Sequence, residues 1–202
     1  MTPAQFEPAG FAAQLAAALE GGDVASLLVA LESEDETVWR RALDEILSVA
    51  QPHDVAVLLA ERVELAAATK ADGVHVEGGR AALEAALRRL KPDKIVGAGR
   101  LRTRHDAMTA AEAGADYVLF GSLDAPFAPE RQDELAERVA WWAELFEVPC
   151  VAAADSLQAL GALARAGADF VALRRAVWAA PDGPAAAVRQ ANERIRIERT
   201  AA

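Results

Sequence analysis

The residues that could do chemistry stand just beyond short apolar runs. Glu61 and Arg62 follow the run 55–59, and His75 lies inside the run 74–76, with Glu77, Gly78, Gly79 and Arg80 after it. Gly99 and Arg100 open a loop that also carries Arg102 and Arg104. Ser122 and Asp124 follow 117–120, Asp155 and Ser156 follow 148–153, and Arg174 and Arg175 follow 170–173. A carboxylate such as Glu61 can take a hard cation or move a proton. His75 reads either as a general base or as a structural histidine with its hydrogen bonds satisfied. Guanidinium groups grip phosphate in a bidentate manner, so Arg100, Arg174 and Arg175, with the Ser122 hydroxyl, form the candidate anion-binding set. The competing account makes the same arginines rim residues paired with the abundant acids.

Several other chemistries find no support. No His/Cys/Asp/Glu cluster has metal-ligand spacing. Nucleophile elbow, Walker loop and dinucleotide fingerprint are all missing, and Gly97-Ala98-Gly99 lacks a third glycine at the right offset. The lone Cys150, inside an apolar run, reads as a buried strand residue, and a reducing, cytoplasmic setting is expected. With 31 acidic against 21 basic side chains, the net charge of −10 argues against nucleic acid or an anionic membrane as partner. The first twenty residues lack the pattern of an export signal, and no apolar run reaches the roughly 20 residues needed to span a bilayer.

The elements that must position these residues are announced by a repeated phrase. Gly114-Ala115-Asp116 before an apolar run has near-copies in Ala71-Asp72-Gly73 and Gly167-Ala168-Asp169. In each, an alanine-rich helix stops, an Ala-Asp pair turns the chain and a valine-rich run follows. The copies lie about two minimal βα repeats apart, and one further unit fits in each gap. Runs that are apolar on both faces predict strands of a parallel sheet at 24–31, 55–59, 74–76, 94–97, 117–120, 148–153 and 170–173. Helical periodicity predicts eight helices, among them 35–50 with the stripe Trp39, Leu43, Ile46 and Ala50, and one sharing Leu135, Val139, Trp142 and Phe146. Strict alternation predicts one α/β domain over 1–202, a TIM (β/α)8-type barrel with an N-terminal helix within 1–22, a barrel core over 24–178 and a C-terminal helix over 183–198. The count is one strand short. The expectation is that the first strand is missing from this chain, since Pro3 and Pro8 disfavour a strand at 2–7. The runs 24–31 and 170–173 would then be edges in need of cover, for which a homodimer is one solution.

Five segments, 58–66, 71–76, 95–97, 114–121 and 167–173, resemble consecutive blocks of the thiamine phosphate synthase/TenI family, in the right order over about 55–177. The resemblance implies a TIM barrel acting in thiamine biosynthesis on small phosphorylated metabolites. Its synthases join a pyrimidine diphosphate to a carboxylated thiazole phosphate with Mg²⁺, whereas TenI relatives aromatise the thiazole phosphate. It also implies that most motif residues have been replaced. The family's Asn-Asp pair stands as Ala60-Glu61, its metal-binding Asp aligns near Arg80, and its serine after Val-Gly is Gly99, with Arg100 next. In place of the Thr-x-Thr-Lys diphosphate loop stands Ser122-Leu123-Asp124-Ala125-Pro126. A phosphate-binding Gly-Gly aligns with Ala154-Asp155 and a phosphate-contacting serine with Arg175, and the run 24–31 lacks Gln-x-Arg-x-Lys. Two readings follow: a transferase-type barrel of thiamine biosynthesis, in which Glu61 and His75 would be the catalytic candidates, or a catalytically inactive barrel that binds a small anionic metabolite or a partner protein. Mg²⁺ belongs only to the first.

Overall fold

The computed structural model describes residues 1–122 and 129–201. Among these residues seven parallel strands follow one another in a single curled sheet: β1 (Ser26–Val29), β2 (Ala56–Ala60), β3 (Gly73–Val76), β4 (Ile95–Ala98), β5 (Tyr117–Phe120), β6 (Cys150–Ala154) and β7 (Phe170–Leu173). Helices α1 (Pro8–Leu19), α2 (Glu36–Ala50), α3 (Val63–Ala68), α4 (Gly79–Leu90), α5 (Arg104–Glu112), α6 (Pro129–Leu145), α7 (Leu160–Arg165), α8 (Arg175–Trp178) and α9 (Pro184–Ala201) accompany them. The expected α/β TIM-like architecture and its seven strands are present. Strand β6 starts at Cys150 instead of 148 because Pro149 has no N–H to give a ladder, although its carbonyl accepts from Val118. The unexpected helix is α8, whose four residues are too few for a periodic signal.

The repeated Ala-Asp phrase has a mechanical meaning. Asp72 donates its N–H to the Val57 carbonyl while its Oδ2 accepts from the Val57 N–H at 2.7 Å. Asp116 clamps Val96 in the same two-point way, and Asp169 clamps Cys150, with side-chain distances of 2.6 and 2.8 Å. Each aspartate thus fastens the start of its own strand to the strand before. Gly114 and Gly167, at φ 102° and 89°, supply the left-handed turn that brings two of these aspartates round.

Strand residues alternate between two faces. Val57, Leu59, Val74, Val76, Val96 and Val118, all buried, pack outward into a core shared with Trp39, Leu43, Ile46, Leu83 and other helical residues. Trp142 is fully buried there, stacked on Phe146 and edge-on to Phe120, with its indole N–H on the Val148 carbonyl. The other face looks into the barrel. Register places Ala60, His75, Gly97 and Tyr117 side by side in one inward row across β2 to β5.

The two terminal strands are not bare at the mouth. Thr2 donates its N–H to Leu28 at 2.9 Å, its hydroxyl bonds both the N–H and the carbonyl of Ala30, and Glu32 donates to the Ala4 carbonyl. The Met1 nitrogen bonds the Leu173 carbonyl at 2.8 Å. Residues 1–4 therefore run parallel to β1 as a stub between β1 and β7, where an eighth strand would lie. Lower in this seam Ser26 is exposed and Phe170 is 47% exposed, so the closure is partial. No helix of the described residues is long and apolar enough to cross a membrane.

Candidate active site

The carboxyl ends of the strands carry the candidate groups, and β3 and β4 bring several of them together. His75 is 2% exposed. Its Nδ1 lies 2.9 Å from the Tyr117 hydroxyl, and the two rings stack at 5.6 Å. Burial and the charge of Asp116 push the Tyr117 phenol upward, so it stays protonated. On the other side Nε2 faces a Glu77 oxygen at 3.8 Å, longer than a full hydrogen bond but close enough for the two groups to act on each other. A carboxylate there favours the tautomer with its proton on Nε2, which leaves Nδ1 to accept from Tyr117. The His75 imidazole, and more weakly Arg100, hold the Glu77 carboxyl below the usual carboxylate range, against the opposing effect of burial.

Glu61 and Arg100 complete the group. Glu61 closes β2 in a left-handed conformation, φ 59°, and its Oε1 accepts the Glu77 N–H. Arg100 is likewise left-handed, φ 53°, and its Nε stands 3.8 Å from the second Glu77 oxygen. Two glycines make room. A Cβ on Gly97 would lie 1.9 Å from the Tyr117 ring, and one on Gly99 would lie 2.4 Å from His75 Nε2.

Glu61, His75 and Arg100, read from the sequence, therefore meet, and the residue that joins them is Glu77, which had been given no role. Strand alternation contained the signal, because Glu77 lies two residues after inward-facing His75. The other candidates are placed elsewhere. Arg174 donates from Nε to the Thr2 carbonyl at 3.0 Å, beside the Trp178 indole N–H on the Met1 carbonyl. Exposed Arg175 lines a separate cleft of about 300 Å³ with Asp155, Ser156, Gln158 and Asp182. Ser122 is exposed after β5, and the Leu123-Asp124 part of its loop lies outside the described residues. The larger recess, about 540 Å³, lies between α9 and the Gly21 turn. Its Arg196 is engaged by Glu193 and its Arg199 by the Ala168 and Asp169 carbonyls.

A magnesium ion needs an octahedral shell of oxygens, with one or two protein carboxylates beside substrate phosphates and water. Among the described residues no group of three or more His, Cys, Asp or Glu side chains converges to hold a metal. Glu61 has one oxygen on the Glu77 amide, and Glu77 is flanked by a guanidinium and an imidazole. Arg80 does not intrude; it pairs with Glu84 along α4 at 2.7 Å. These residues do not fit the ion.

Fold and site together define a parallel βα barrel whose candidate groups stand at the carboxyl ends of its strands. Residues 1–177 match the family model described as thiamine monophosphate synthase. The thiamine-phosphate synthase of Rhodospirillum centenum is 40% identical over 198 residues, covering 97% of this chain and 96% of that one. That of Hyphomonas neptunium is 37% identical over 203 residues, covering 95% and 90%. A solved thiamine phosphate pyrophosphorylase from Pyrococcus furiosus shares the fold with a TM-score of 0.82 at 22% identity, covering 98% of this chain and 94% of that one. The chain belongs to the thiamine phosphate synthase/TenI family, and its fold and family tie it to thiamine biosynthesis.

Proposed function

We propose that this chain binds a small phosphorylated compound of thiamine biosynthesis, a thiazole phosphate or a pyrimidine diphosphate, at the barrel mouth, without the magnesium-dependent coupling of the synthases. The observation that carries this reading is the state of the two carboxylates. Glu61 has one oxygen on the Glu77 amide, and Glu77 sits between Arg100 and His75, so the pair does not offer the octahedral oxygen shell that a hard dication demands. Arg100, with its side chain 63% exposed, supplies the positive charge for the phosphate from the rim, and Arg175 offers a second guanidinium in its own cleft.

The test incubates the protein with the hydroxymethylpyrimidine diphosphate, the carboxylated thiazole phosphate and Mg²⁺, and follows thiamine phosphate. No product above background is expected, while the thiazole phosphate raises the melting temperature equally with Mg²⁺ or a chelator. Magnesium-dependent product would overturn the proposal in favour of a working synthase. That second reading draws its support from the 40% identity, over nearly the whole length, to a protein named as a synthase.

A further inference from the structure

Independent features of the chain converge on Glu77. Among the described residues only Asp54, Glu61 and Arg100 are non-glycine residues with positive φ, and the last two hold Glu77 from either side. Such backbone persists where its surroundings over-determine it, and it clusters at ligand sites. His75 Nε2 is the one buried side-chain polar atom among the described residues without a hydrogen-bond partner, and it is aimed at Glu77. Gly99 lets the β4 loop close over the pair, since a Cβ would stand 3.2 Å from the Glu77 carboxylate as well as against the imidazole.

Charge gives the arrangement a direction. Glu61 and Glu77 place two carboxylates at the mouth, where Arg100 is the guanidinium paired with Glu77. Arg62 turns away to the Ser33 carbonyl and Glu34, over the face of Trp39, and Arg80 turns to Glu84. Within the group of Glu61, Glu77 and Arg100 one negative charge is therefore left in excess. The Glu77–Arg100 contact, at 3.8 Å, is loose enough for a ligand to part.

We infer that Glu77 is the specificity residue of the mouth: with Glu61 it receives the cationic nitrogen of a ligand whose phosphate is taken by Arg100. Tyr117 and His75 act on the ligand through Glu77 and are positioning residues. The inference rests on the reading that the mouth takes a phosphorylated ligand, and it adds that a positively charged ring is preferred to a neutral one of the same shape.

Calorimetric titration of two probes tests this. One is the neutral 4-methyl-5-(2-phosphooxyethyl)thiazole; the other is its N-methylthiazolium, which adds a fixed positive charge. The wild-type chain should bind the cation about tenfold more tightly. In Glu77→Gln, which keeps the side chain's shape, the preference for the cation over the neutral ester should fall within about twofold. Tyr117→Phe should reduce the preference partway and move the His75 imidazole resonances, a response that loss of general stability would not produce. Equal binding of both probes by the wild-type chain, or a preference that survives in Glu77→Gln, overturns the inference and leaves the phosphate-binding reading standing. Failure of the wild-type chain to bind either probe overturns both.

Discussion

Gly97 lacks a side chain because the Tyr117 ring lies where its Cβ would be, and this one vacancy lets a tyrosine on β5 reach a histidine on β3 across the intervening strand. The histidine in turn acts on the ionisation of Glu77. Its carboxyl ionises more readily in the folded chain, where the His75 imidazole and then Arg100 oppose the cost of burial. A group with a depressed folded pKa contributes stability that is complete above its unfolded value, about 4.3 for glutamate, and that disappears as pH falls through the lower folded value. Glu77→Gln should therefore be less stable than the wild-type chain by a constant margin near neutrality. Denaturant unfolding at a series of pH values should show that margin shrinking below about pH 4. A margin that stays constant into strong acid would mean that the imidazole and guanidinium do nothing for this carboxylate.

At the scale of elements, the aspartate clamps explain why the repeated phrase could be read from the chain. Asp72, Asp116 and Asp169 recur because β3, β5 and β7 are each fixed to the preceding strand at the amino end of the barrel, a need that local sequence expresses directly. Removing one should leave a strand N–H unpaired. Asp116→Ala is expected to cost about 1–3 kcal/mol in chemical denaturation, through the Val96 N–H and the Lys91 ammonium, while Asp116→Asn, whose amide oxygen still accepts, should cost less. Equal losses from the two substitutions would show that charge on Lys91, not the clamp, is what matters. The strands themselves were legible because burial on both faces leaves little but valine, leucine and alanine. The mouth was less so. Glu61, His75 and Arg100 are recognisable by residue type, but what Glu77 does depends on β3 and β4 lying side by side and on Gly99 closing over it. The contact of Arg174 with the Thr2 carbonyl was hidden for the same reason, since the two lie 172 residues apart in the chain.

For the whole molecule the decisive place is the seam between β1 and β7. Residues 1–4 join these strands at the mouth, and the stub also holds what lies above it: the Met1 carbonyl accepts the Trp178 indole N–H, and the Thr2 carbonyl accepts Arg174. Trp178 in turn packs on Phe11, which packs at a tilt on Phe6. Barrel closure and the placement of α8, which carries Arg175, are thus one mechanical unit. Thr2 is fully buried, and its hydroxyl both receives the Ala30 N–H and donates to the Ala30 carbonyl. Thr2→Val keeps the shape but leaves that N–H without a partner, at a cost of about 1–3 kcal/mol, which Thr2→Ser should largely restore. Because the stub bridges the seam at the mouth, the loss should be local before it is global. Hydrogen exchange in Thr2→Val should quicken first at the Ala30 amide and in α8, while β3 to β5, paired on both sides, keep wild-type protection. Were the amides of β4 to exchange faster in step with Ala30, the barrel would open as a whole, and the stub would be part of its common core instead of a latch on its seam.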